Sequence, residues 1–161
     1  MKHSAAYWGK HQPKIKAALE PHGIHVYRMQ APKPRDGHER AVFETRIANR
    51  AHQMMVRTRK ADAAERFGYD LTIKLSRPNA TEFHESPISL YMQAWSNSKN
   101  QFAKWTVVQV PEVVNWIREN KEELLRLKWF GVSKAGNRSS DQFLWIRASA
   151  IPRELIVAEN I

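Results

Sequence analysis

The run from Asp70 to Val110 constrains the fold more than any other segment, because it spells out three strands and their turns in succession. Residues 70–76 (DLTIKLS) alternate Leu71, Ile73 and Leu75 with Asp70, Thr72 and Lys74, the period of two that marks a strand with unlike faces. Residues 88–95 alternate Ile88, Leu90, Met92 and Ala94 with Ser89, Tyr91, Gln93 and Trp95. A polar turn, SNSKNQ, then leads to a third strand over 105–110, rich in β-branched and aromatic residues. Glu112 opens a helix running to about Lys128, with Val113, Trp116, Ile117, Asn120 and Leu124 on its inner side. Short strands at 130–132 and 142–146 flank the basic turn SKAGNRSS.

Upstream of this run the punctuation is prolines and glycines. APKPRDG, residues 31–37, opposes both helix and central strand and divides the chain into a basic arm (1–37) and a core (38–161) that together make one compact unit. The arm reads as a helix near residues 5–19, stopped by Pro21 and Gly23, and a strand at 24–29. It carries His22 and His25, but no cysteine or carboxylate cluster beside them completes a tetrahedral metal site. Residues 38–67 are predicted to form a long helix, with room for a break near Lys60, ended by Gly68. Its apolar face would hold Phe43, Ile47, Ala51 and Met54, with Met55 beside them. Glu44 falls in the same arc, where a carboxylate needs either a metal or a partner such as Arg40. Arg46, Arg50 and Arg57 form a separate stripe, suited to solvent or to phosphate. The expected class is α/β or α+β, a central mixed sheet flanked by helices.

Charge bounds the partner. Among 161 residues, 26 Lys and Arg face 16 Asp and Glu, for a formal net charge of +10, so a polyanion is expected and nucleic acid foremost. No apolar run approaches the roughly 20 residues that span a bilayer, and the first residues lack the apolar centre of a signal peptide. Together with the absence of cysteine, this suggests a cytoplasmic protein with no membrane partner.

Glu44, then Asp70 in GYDLTIK, then Gln93 in YMQAW follow one another in the order seen in the PD-(D/E)XK nucleases, and over residues 39–120 the chain resembles that superfamily of restriction-like endonucleases and Holliday-junction resolvases. The resemblance implies a restriction-endonuclease-like core acting on DNA, with Asp70, Glu44 and Gln93 holding Mg²⁺ to polarise a phosphate and lower the pKa of a bound water. The motif lysine, two residues after Gln93, is here Trp95. Lys74 or Lys99 would have to take its role, and Glu82 or Glu85 could add a ligand. Such proteins are frequent in phages and mobile elements, where the host cytoplasm is their setting, and are often homodimers. Three readings therefore stand open: a Mg²⁺-dependent DNA endonuclease, a catalytically inactive DNA-binding module of the same fold, or an RNA-binding accessory protein. Tyr91, Trp95 and Trp105, interleaved with Lys99, Lys104 and Asn97, could stack on unpaired bases or pack in the core. Lys134 and Arg138 of SKAGNRSS are a second candidate phosphate contact.

Overall fold

A computed structural model describes residues 5–29, 40–77, 80–81, 88–97, 99, 101–134 and 142–160. The chain runs α1 (Ala5–Leu19), β1 (Ile24–Met29), β2 (Arg40–Ile47), β3 (Arg50–Arg59), α2 (Ala61–Phe67), β4 (Asp70–Arg77), β5 (Ala80–Thr81), β6 (Leu90–Ser96), β7 (Phe102–Gln109), α3 (Val110–Arg126), β8 (Phe130–Lys134), β9 (Gln142–Arg147) and β10 (Ile156–Glu159). Six strands form a main sheet in the order β1-β2-β3-β6-β7-β10, and four form a second sheet in the order β5-β4-β9-β8. The main sheet is mixed: β3 and β6 are parallel and its other neighbours antiparallel. The class is α+β, within the range expected from the sequence.

Both faces of the main sheet are covered, and its middle strand shows why. Every residue of β6 from Leu90 to Trp95 is buried. Leu90, Met92 and Ala94 join Phe43, Met54, Val56 and Val107 in a core closed by Trp8, Ile15 and Leu19 of α1. The spacing 8, 15, 19 puts those three on one stripe of that helix. The basic N-terminal segment is thus built into the molecule, with α1 as a lid and β1 as an edge strand. On the opposite face Tyr91 and Trp95 join Met55, Leu71, Ile73, Val113, Ile117, Leu124 and Ile146, which come from β3, the second sheet and α3. Helix α3 ends at Arg126, with the Trp129 N–H bonded to the Leu124 carbonyl and the Lys128 N–H to that of Leu125, the paired bonds of a Schellman stop whose left-handed position is taken by Lys128 (φ 55°). Among the described residues, no helix is long and apolar enough to cross a membrane.

The long helix expected over 38–67 is instead a β-hairpin followed by the seven-residue α2. Ala41, Phe43 and Thr45 are buried while Arg46 is exposed, so the operative period is two. The apparent helical stripe arose because Phe43 and Met54 sit directly opposite each other across the hairpin. The turn itself was hard to see, since it has no glycine. Ile47 pairs with Arg50, leaving Ala48 and Asn49 as a two-residue loop with φ of 47° and 65°, the two left-handed residues of a type I′ turn. Asparagine tolerates that region, but alanine does so at a cost of about 1–2 kcal/mol. Ala48→Gly should therefore stabilise the protein by about 1 kcal/mol and raise its melting temperature by about 2–4 °C, read by thermal unfolding.

Candidate nucleic-acid interface

A cleft of about 500 Å³ opens between α2 and the outward face of the second sheet, lined by Arg59, Ala63, Phe67, Gly68, Asp70, Thr72, Trp95, Ser133, Phe143 and Trp145. The alternation of β4 and β9 builds it. Leu71 and Ile73 of β4, with Leu144 and Ile146 of β9, point into the core. Asp70 and Thr72, paired across the ladder with Arg147 and Trp145, share the other face. Trp145 also pairs with Gly131 of β8. Its indole lies flat over that residue, since a Cβ on Gly131 would fall 2.7 Å from the ring. Any larger side chain there would push Trp145 out of place. Phe143 covers the guanidinium of Arg57 at 5.6 Å from the ring centre, and Phe67 stands exposed at the rim. Arg59 reaches over from β3 and donates to Thr72 Oγ1 at 2.7 Å.

Asp70 is the ionisable group that stands out in this cleft. Its Oδ1 is shielded from solvent and has no hydrogen-bond partner among the described residues. Burial pushes its pKa above the ordinary carboxylate value, and the charge of Arg147 offsets only part of that rise.

Gln93, expected as a metal ligand, has another task. Its fully buried side chain donates from Nε2 to the Asp70 carbonyl at 2.7 Å and accepts at Oε1 from the Thr72 N–H at 2.9 Å. The amide thus pairs with the backbone of β4 as a neighbouring strand would, along the stretch that β5, which pairs only from Leu75 onward, leaves open. Tyr91 adds to this clamp, its hydroxyl donating to the Thr72 carbonyl at 2.7 Å and lying 3.0 Å from Gln93 Oε1. Each buried group left without its partner would cost about 1–3 kcal/mol.

Glu44 is not on a helix and does not join Asp70 and Gln93. It lies on β2 in a bidentate pair with Arg28 of β1, at 2.7 and 3.1 Å; the side chain of Arg40, the partner expected from the sequence, lies outside the described residues. Glu44 pairs across the sheet with Gln53, and Gln93 with Arg57. Four residues of β3 therefore separate them, roughly 13 Å along the strand direction. Glu44 lines a separate, more open cleft with Arg46, His52 and Ser89. Among the described residues, no three His, Asp or Glu side chains are grouped to hold a metal ion.

The other expected residues divide as follows. Tyr91 and Trp95 are buried and Trp105 lies in the first core, so as a set they are packing groups and only Trp95 borders the cleft. The arginine stripe is split: Arg46 and Arg50 are exposed at the hairpin tip, where Arg46 lies over Tyr27, while Arg57 is buried under Phe143. Lys99 is exposed in the turn capped by Asn97, and Lys104, opposite Trp95 on β7, edges a small neighbouring cleft. His22 packs edge-on against Trp105. The side chains of Lys74 and Lys134, and the whole of Glu82, Glu85 and Arg138, lie outside the described residues. Phe143 and Trp145 were missed, although QFLWIR announces them: a strand that places two aromatics opposite Leu144 and Ile146 has more apolar surface than one core can use.

Compared with protein-family models, curated proteins and solved structures, the chain has no match. The fold and cleft define it as an α+β protein of strongly basic charge with an aromatic-walled recess.

The Asp70 carboxylate sets a pH dependence whose sign follows from its raised pKa. Folding is unpenalised below the ordinary aspartate range, where the group is protonated in both states. The penalty grows as pH rises through the folded-state value, because ionisation then favours the unfolded chain. Asp70→Asn should raise the melting temperature at pH 7, with the gain shrinking on acidification and vanishing by about pH 3 in parallel thermal melts.

Proposed function

We propose that the protein binds nucleic acid, DNA in the first instance, through unpaired bases that enter the cleft and stack on Trp145. The observation that carries this reading is a recess walled by Trp145, Phe143 and Phe67, with Arg59 on its side, in a chain of net charge +10. Base stacking on an aromatic ring contributes about 1–3 kcal/mol per base without demanding a sequence, while the excess of cations attracts the phosphates. A volume near 500 Å³ suits a single nucleotide within the usual size range of ligand pockets.

Binding is favoured over cleavage by the placement of two groups. Glu44 is engaged with Arg28 well away from Asp70, and both ends of the Gln93 amide are engaged with β4. The restriction-endonuclease-like core and the homodimer implied by the nuclease resemblance remain part of the proposal as ancestry: a nuclease-like scaffold serving as a binding module. Fluorescence anisotropy with labelled single-stranded and duplex DNA tests it. Single strands should bind more tightly, with affinity falling steeply as salt rises, and Trp145→Ala should weaken single-strand binding about tenfold. Equal affinity of the wild type and Trp145→Ala for single strands would remove the cleft from the account. Scission of DNA in Mg²⁺ that Asp70→Ala abolishes would restore the nuclease reading.

A further inference from the structure

A carboxylate is an unusual group to find in a recess meant for a polyanion, and its chemistry narrows what can enter. Asp70 lies diagonally across the sheet from Trp145 on the same face, since Thr72 is the direct partner of Trp145. Diagonal neighbours lie roughly 7–8 Å apart, and because the indole leans toward Gly131 of β8, a base stacked on it would have to extend back across β9 to present an edge to the carboxylate. The shielded Oδ1 has no partner among the described residues, and an ionised carboxylate only accepts hydrogen bonds. A cationic occupant is disfavoured because Arg59 stands on the same wall. What remains is a neutral edge rich in N–H donors.

Resting on the base-binding reading of the cleft, we infer that the preferred occupant is guanine, held by Asp70 through its N1–H and N2–H. Guanine is the one standard base that presents two adjacent donors on its Watson–Crick edge. Adenine and cytosine each place a ring-nitrogen acceptor beside their amino group, and thymine flanks its single N–H with two carbonyls, so each would set a lone pair against a carboxylate oxygen. A charge-assisted pair with two parallel bonds is the stronger kind, and forming it requires the half-buried carboxyl to turn so that its shielded oxygen meets the cleft.

The test uses oligothymidine eight residues long, with or without a single central guanine, measured by fluorescence anisotropy. The wild type should bind the guanine-containing strand about five- to a hundredfold more tightly. Replacing guanine with hypoxanthine, which lacks only the N2 amino group, should remove most of that preference. Asp70→Asn should lower it below about threefold, read as the ratio of its affinities for the two strands so that any general gain from the lost charge cancels, with thermal melts confirming that the variant is folded. A wild type that does not distinguish the strands, or an Asp70→Asn protein that keeps the full preference, would overturn the guanine assignment. In that case a Trp145→Ala defect toward both strands would leave the base-binding cleft standing. If Trp145→Ala changed neither, the cleft reading would fall together with the inference.

Discussion

The Gln93 amide joins the two halves of this molecule. It stands at the middle of the main sheet, on a strand buried on both faces, and its donor and acceptor meet the carbonyl of Asp70 and the N–H of Thr72 on the second sheet. A backbone edge buried against another layer needs a partner for every polar group, and here one side chain serves in place of a strand. The same contact fixes β4 relative to β6, and so sets where Asp70 and Thr72 face the cleft. Gln93 is thus central to the site without lining it, through hydrogen bonds to backbone that no metal would leave free.

From that clamp follows the shape of the recess. One face of β4 and β9 is committed to the core shared with α3, and the other is left with Asp70, Thr72, Phe143 and Trp145 under α2 and the end of β3. Gly131 lets the indole lie against the sheet, presenting a flat apolar surface where a stacked ring could rest. Asp70 sits there with a shielded oxygen unsatisfied, an arrangement that lowers stability at neutral pH. Groups kept at such a cost are found where a ligand completes them.

Much of the fold was legible from period-two patterns. Residues 70–76 fall on β4 and 90–95 on β6, where Leu90, Met92 and Ala94 face away from Tyr91 and Trp95 as expected, whereas Ile88 precedes β6 and packs on the side of Tyr91 and Trp95; α3 begins and ends within two residues of its predicted bounds. The hairpin of β2 and β3 was not legible, because Ala48 and Asn49 make a left-handed turn without glycine and because Phe43, Ile47 and Ala51 recur at a spacing that also fits a helix. That error carried Glu44 with it: on a helix face it resembled a ligand, and on β2 it is the partner of Arg28. Asp70 lies in the cleft, whereas for Tyr91 and Trp95, which could either stack on bases or pack in the core, burial decides for the core. Burial on both faces of β6 hid this, since alternation alone does not say whether the second face meets solvent or another layer.

The central claim is that bases stack in the cleft, and the indole signals of the six tryptophans report on it most directly. In ¹⁵N–¹H spectra of the labelled protein, with Trp145 assigned by comparison with Trp145→Phe, addition of short single-stranded DNA should shift the Trp145 indole N–H. Amides of β4, β9 and α2 should move with it, while the indoles of Trp8 and Trp105 in the first core stay in place. A Trp145 signal unmoved at saturation, with shifts confined to the hairpin tip around Arg46 and Arg50, would contradict the account and place the nucleic-acid surface elsewhere.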